Sequence, residues 1–318
     1  MWIETGVTRL LGIDLPIVQA GMSWASSDAA LPLAVSRAGG LGVVAAGPMR
    51  AMDLQATLDT MREGTNRPYA VNLPLYRKGA DEIMALLLQH RVPVLIASQG
   101  GPKRYLAQFK AIGAVCLHVV ASVEHAQKAA DAGVDGLIVV GGEAGGHPPA
   151  AMVSTLVMLR AVARALPGMP LIASGGFADG AGLAAALALG AGAAQFGTRF
   201  LATHEAAVHQ AYKDAVVRAG TEDTRTVGRG FGVIRTLANP FAERMAALEH
   251  AGAPEAERQA VFAAGTLKAA ALDGDVAEGK LEAGQSAGLV DAIEPAGALV
   301  RRIAAEYLAT VAGLPNCA

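Results

Sequence analysis

The chain has 318 residues, room for one large domain or two ordinary ones, and 53% of them are hydrophobic against 17% charged. Its formal net charge of −2, with no cluster of Lys or Arg, leaves no expectation of nucleic-acid or membrane-surface binding. Two cysteines, Cys116 and Cys317, form neither a disulfide framework nor a cysteine-rich metal site, so a reducing cytoplasm is the expected setting.

Met1-Trp2-Ile3-Glu4 has no basic stretch followed by an apolar one, and no signal peptide is expected. Residues 16–20 read as a strand ended by Gly21-Met22. Ser26-Ser27-Asp28 offers caps for a helix over 29–37, which Gly39-Gly40 stops. The same alternation continues: strand 41–45 and helix 52–63, then strand 69–73 and helix 81–89. Strand 92–98 and helix 102–111 come next, followed by strand 114–120 and helix 123–132. Strand 136–140, helix 153–165, strand 170–174, helix 179–189 and strand 193–197 complete the series. The Ala- and Gly-rich stretch over 181–194 reads as a helix-to-strand break rather than a membrane span.

Eight apolar strands alternating with helices imply parallel pairing and right-handed crossovers. Eight such units in roughly 200 residues predict a (β/α)8 TIM barrel. An open doubly wound sheet is disfavoured because no Gly-x-Gly-x-x-Gly opens the first unit. Residues 1–203 are expected to build the barrel, completed by 283–318 with a final helix over 295–311. Residues 204–282 read as a helical insertion or lid, broken at Gly220, Gly228-Arg229-Gly230 and Pro240.

A parallel barrel works at the C-terminal tips of its strands. Here the tips carry Ala20, Gly21 and Met22, then Asn72, then Gln99. The sixth tip is Gly141-Gly142-Glu143-Ala144-Gly145-Gly146-His147, the seventh Ser174-Gly175-Gly176, the eighth Gly197-Thr198. No paired carboxylates and no metal cluster stand among them, and His204 and His209 are badly spaced for one helical face. Gly175, Gly176 and Gly197 can present bare N–H groups to a phosphate, and the Thr198 hydroxyl can donate. The bland alternative is a pair of left-handed turns. A phosphate site beside uncharged amides suits flavin mononucleotide (FMN), with Ala20, Gly21, Met22, Asn72 and Gln99 at the ring's polar edge. Asn72 and Gln99 capping local backbone is the other reading. Gly145 and Gly146 permit close approach to a ligand and leave His147 at the mouth of a strand. Taken alone, His147 is equally a surface histidine. Arg225, Arg229 and Arg235 fit either a nucleotide phosphate or a solvated helical face.

Several stretches together resemble one family. They are Pro16-Ile17-Val18-Gln19-Ala20-Gly21-Met22, Ala38-Gly39-Gly40-Leu41-Gly42, Val71-Asn72-Leu73 and Glu143-Ala144-Gly145-Gly146-His147. Ala173-Ser174-Gly175-Gly176-Phe177-Ala178-Asp179-Gly180, Gly197-Thr198-Arg199-Phe200 and Ala283-Gly284-Gln285-Ser286-Ala287-Gly288-Leu289-Val290 complete the set. The chain resembles the nitronate monooxygenase (2-nitropropane dioxygenase) family of flavoproteins. That group also holds FMN-dependent enoyl-acyl-carrier-protein reductases and NADH:quinone reductases. The resemblance implies a barrel with FMN at its tips and His147 as the catalytic histidine. Its leading implication is oxidation of alkyl nitronates with O2, His147 serving as base or electrostatic partner. The alternative implied is an NAD(P)H-dependent enoyl-thioester or quinone reductase. Two departures point toward the reductase branch: Gly21 where monooxygenases favour Pro, and Arg199 where they often have Ala. His209 and Tyr212-Lys213 lean the same way. A flavin-binding protein without turnover is the third class, against which His147 argues. The apolar composition is compatible with a homodimer.

Overall fold

The computed structural model describes residues 2–315, so Met1 and Cys317 lie outside the described residues. A short helix opens the chain, α1 (Gly6–Leu11), ahead of β1 (Ile17–Gln19) and α2 (Ala30–Arg37). Then follow β2 (Gly42–Ala45), α3 (Ala51–Gly64), β3 (Tyr69–Pro74), α4 (Ala80–Gln89), β4 (Val94–Ser98) and α5 (Leu106–Ala111). β5 (Val115–Val120), α6 (Val123–Ala132), β6 (Gly136–Val140), α7 (Thr155–Ala165), β7 (Leu171–Ser174), α8 (Gly180–Ala188) and β8 (Ala193–Phe196) complete the alternation.

All eight strands are parallel, each hydrogen-bonded to its neighbours in the order β1-β8-β7-β6-β5-β4-β3-β2. A parallel bridge between Val18 and Leu41 closes the ring at β1 and β2. The Gln19 side chain laces the same joint: its Oε1 accepts from the Val43 N–H at 2.9 Å and its Nε2 donates to the Val43 carbonyl at 3.2 Å. The molecule is thus a (β/α)8 TIM barrel, as the alternation predicts.

The apolar residues divide into two layers. Val18, Val43, Ala70, Val94, Ile96, Leu117, Ile138, Ile172 and Ala193, drawn from every strand, fill the inside of the ring. Val7 and Leu11 of α1 join that cluster, so α1 plugs the floor of the barrel. Thr5 holds it there through a hydrogen bond to the carbonyl of Gly192, just before β8. The sequence reading missed α1: six residues give little periodicity, and its capping box uses Thr5 and Thr8. A second, larger cluster packs the outer strand faces against the helices.

After β8 come α9 (Thr198–Leu201), α10 (Gln210–Arg218), β9 (Thr224–Val227), β10 (Ile234–Leu237), α11 (Pro240–His250) and α12 (Glu255–Ala264). One π-helical turn (Ala269–Asp273) and one 3-10 turn (Gln285–Leu289) lead to α13 (Ala296–Ala312). That last helix packs between α8 and α2. The segment 204–282 is not all helical, because β9 and β10 form an antiparallel hairpin. Thr224-Arg225-Thr226-Val227 and Ile234-Arg235-Thr236-Leu237 carry the β-branched residues strands favour. Gly228-Arg229-Gly230 is the turn between them, with Gly228 and Gly230 at positive φ, rather than a break between helices. Val227, Ile234, Phe241, Ala242 and Met245 form a small core of their own there. No helix among the described residues is long and apolar enough to cross a membrane.

Candidate active site

A cavity of about 850 Å³ opens at the C-terminal ends of the strands. Ala20, Gly21 and Met22 line it beyond β1, Asn72 from β3 and Gln99 beyond β4. Gly145, Gly146 and His147 enter from the loop after β6, Ser174, Gly175 and Gly176 from the end of β7, Gly197 and Thr198 from beyond β8. Apart from Gly141 and Gly142, every tip residue singled out in the sequence therefore faces one space. His118, Gln195, Tyr212, Glu282 and Ser286 line it too; Tyr212 and Ser286 stand in stretches quoted for the family resemblance, whereas nothing local marks His118, Gln195 or Glu282.

At the β7–β8 side the surface is backbone. Gly175 and Gly176 have φ of 104° and 85°, a left-handed pair that side chains strain to adopt. Ser174 Oγ accepts from Gln195 Nε2 at 2.9 Å, tying the two tips together. Thr198 Oγ1 accepts from the Gly284 N–H at 2.8 Å, which leaves its own proton to donate into the cavity.

The β6 loop is held from three sides. Glu143 stands at the cavity wall and accepts from the Thr155 N–H at 2.9 Å and its hydroxyl at 2.8 Å. Gly146 forms an antiparallel bridge with Arg235, and the Arg235 guanidinium donates to the Gly142 carbonyl at 2.8 Å. A Cβ on Gly145 would stand 2.5 Å from backbone atoms of Ala283 and Gly284. The 283–285 segment therefore lies directly on the loop, and the Gln285 N–H donates to the Glu143 carbonyl at 3.0 Å. Between these supports, His147 opens to the cavity, and neither ring nitrogen has a hydrogen-bond partner among the described residues. The surrounding walls still disfavour its charged form: burial first, then the Lys280 charge, hold its pKa below the usual imidazole value. A neutral imidazole with free nitrogens is equipped to take a proton or to bond an anion.

The β1, β3 and β4 tips are uncharged. Asn72 donates through Nδ2 to the Ile96 carbonyl at 3.2 Å, so its amide is partly engaged with local backbone. Gly21 sits so close to it that a Cβ would lie 2.6 Å from Asn72 Cβ. Gln99 has φ of 55°, a conformation costing a non-glycine residue about 1–2 kcal/mol, and it turns the chain at the cavity rim. His118 faces the cavity with Nδ1 3.1 Å from the Tyr105 hydroxyl, and burial lowers its pKa.

Of the three arginines singled out in the insertion, Arg225 pairs with Glu243 at 2.9 Å, and Arg229 is exposed near Glu249. Arg235 is buried in the loop support described above. Arg199 is fully buried and paired with Glu294, away from any ligand-facing role.

The chain's relatives agree with this architecture. The family model described as nitronate monooxygenase matches residues 4–85 and 77–306. The solved structure of FabK from Thermotoga maritima superposes with a TM-score of 0.91 at 38% identity, covering 98% of each chain. A Mycobacterium tuberculosis protein named "(3aS,4S,5R,7aS)-5-hydroxy-7a-methyl-1-oxo-octahydro-1H-indene-4-carboxyl-CoA dehydrogenase" is 33% identical over 95% of this chain and 96% of its own. A nitronate monooxygenase of Paraburkholderia phytofirmans is 31% identical over 93% of both. A tip-lined cavity with a free imidazole, on a barrel shared end to end with these redox proteins, makes this chain an oxidoreductase enzyme of the nitronate monooxygenase family.

Proposed function

We propose that the chain is an FMN-dependent oxidoreductase acting at the carbon–carbon bond beside an acyl-thioester carbonyl, with NAD(P)H as its electron partner. The observation that carries the flavin reading is the left-handed Gly175-Gly176 pair facing the same cavity as the free His147 imidazole. The donor set fits the group: Gly175, Gly176, Gly197 and Thr198 offer N–H and O–H groups to a phosphate. Ala20, Gly21, Met22, Asn72 and Gln99 offer a flat, uncharged wall with amides to an isoalloxazine edge, and Gly145 and Gly146 keep the His147 side free of bulk. When bound, FMN supplies two-electron redox chemistry and accepts or delivers hydride.

The chain's own groups do the rest. His147 moves a proton at the carbon next to the acyl carbonyl, and its lowered pKa favours the neutral ring that takes that proton near neutral pH. Arg235, Glu143 and the 283–285 segment hold the loop so that the imidazole stays aimed inward. We take segment 204–282 as the lid that excludes water, since Tyr212 and Glu282 reach the cavity from it.

The thioester substrate is favoured by the CoA-dehydrogenase name of the 33% identical relative. Gly21 adds support: the Asn72 packing leaves no space for the Pro that the monooxygenase pattern favours. Oxidation of alkyl nitronates with O2 is the second reading, favoured by the 31% identical relative and by an imidazole able to hold an anion.

Purified protein should be yellow, with an absorbance band near about 450 nm from bound flavin. Anaerobic mixing with NADH or NADPH should bleach that band, and crotonyl-CoA should restore it. Bleaching by propionate 3-nitronate but by neither nicotinamide would overturn the thioester reading in favour of the second. A colourless protein that cannot be reconstituted would sink both.

A further inference from the structure

Glu282 is another ionisable group in the cavity, beside His118, His125, Lys128, Glu143, His147 and Tyr212. Its carboxyl lies against the His147 loop: a Cβ on Gly146 would stand 3.0 Å from Glu282 Oε2. No side chain or backbone group among the described residues hydrogen-bonds that carboxyl. Tyr212 of α10 fixes the main chain instead, donating to the Glu282 carbonyl at 2.9 Å. Lys280 places its ammonium 3.6 Å from the centre of the Phe262 ring. On the facing elements, Arg235 is bonded to Gly142 and Thr224, Glu143 to Thr155, and His147 stands one residue beyond Gly146. The carboxyl therefore faces the cavity with no protein partner among the described residues.

Burial pushes this carboxyl up to about 7, with the Lys280 charge pulling the other way. A neutral carboxyl carries an O–H, whereas an ionised one only accepts. Its sign requirement is then clear. Near and below neutral pH it can donate to an oxygen bearing negative charge, and above that it repels the same oxygen.

We propose that Glu282 is a substrate-facing hydrogen-bond donor, its neutral carboxyl O–H meeting the oxygen on which negative charge gathers in the bound substrate. That oxygen is the carbonyl oxygen of an enolising acyl thioester or an oxygen of an alkyl nitronate. The inference rests on the reading of the cavity given above for its substrate. No bond to Glu282 forms or breaks beyond the hydrogen bond, so the redox balance of the reaction is unaltered. The role is distinct from that of His147, which moves the proton at carbon.

The test compares wild type, Glu282→Gln and Glu282→Leu as yellow holoenzymes between about pH 5.5 and 9, with crotonyl-CoA plus NADH and with propionate 3-nitronate plus O2. Wild type should lose kcat/KM as pH rises through about 7, in the assay that supplies the true oxygen. Glu282→Gln keeps an N–H donor, so it should lose that alkaline limb and lower turnover less than the leucine variant. Glu282→Leu should lower kcat/KM by about 10²-fold with flavin retained, the loss expected for one oxyanion donor. Binding of propionate 3-nitronate to the oxidised, oxygen-free holoenzyme should weaken above neutral pH in wild type and hold steady in Glu282→Gln if the nitronate is the source. The limb appearing with crotonyl-CoA alone assigns the thioester oxygen. An unchanged alkaline limb in Glu282→Gln, or wild-type kcat/KM in Glu282→Leu, overturns the proposal while leaving the cavity reading intact. Colourless protein in wild type and both variants overturns the cavity reading and the proposal with it.

Discussion

The two sides of the cavity are built from different material. Beyond β7 and β8 the surface is main chain, and its properties come from Gly175 and Gly176 at positive φ and from Gly197. Beyond β6 it is side chain, and His147 and Glu282 owe their character to what is packed around them. A backbone surface binds without titrating, so that side should be indifferent to pH. Ionisable side chains whose charged forms their surroundings disfavour make the opposite side pH-sensitive. Binding and reactivity are thereby separable by substitution.

The largest effect should come from joining the two. Gly145→Ala puts a Cβ 2.5 Å from main-chain atoms of Ala283 and Gly284, and neither segment can yield cheaply. It should cost about 3 kcal/mol or more of unfolding free energy and disturb flavin binding and turnover together. A thermal melt and an absorbance spectrum measure this; wild-type melting would break the claim that loop and 283–285 segment are locked.

His147→Ala should separate the sides instead, cutting turnover by roughly 10²-fold or more while the flavin band persists. In wild type the acid limb of kcat/KM should fall below the usual imidazole range, since burial disfavours the charged ring. That limb should vanish in the alanine variant, and its survival would move the base elsewhere.

A smaller, purely binding effect is expected at the other side. A methyl at Gly176 meets Glu143 only at ordinary contact distance, so the penalty in Gly176→Ala is conformational. Holding a non-glycine residue at left-handed φ costs about 1–2 kcal/mol, or roughly 5- to 30-fold in FMN affinity. Fluorescence titration of the flavin-free protein reads this directly, and an unchanged affinity would remove Gly176 from the phosphate cradle.

The same division explains what the sequence disclosed. Barrel strands are apolar runs at regular spacing, and glycine-rich tips are contiguous motifs, so fold and backbone surface were legible. The hairpin of β9 and β10 was not, because Gly228-Arg229-Gly230 serves equally as a helix break or a turn until the flanking alternation is weighed. Glu282 was invisible for a different reason. Its partners, Gly146 and Tyr212, stand far away in sequence, and burial has no local signature. Gly21 departs from the monooxygenase pattern in sequence, and its approach to Asn72 supplies the physical reason.

The Gln19 lacing has a mechanical consequence. Where β1 meets β2, the ring is carried by backbone bonds from Leu41 to Ile17 and from Gln19 to Leu41, with the Gln19 amide standing in for the next rung. This seam runs directly beneath the Ala20-Gly21-Met22 tip, and Gly21 reaches across it to touch Asn72 on β3. A ligand resting on both tips acts as a tie bar over the thinnest joint of the hoop. Amide protons of Leu41 and Val43 are then the gauge of that tie, exchanging with solvent more slowly the more firmly the hoop is strapped.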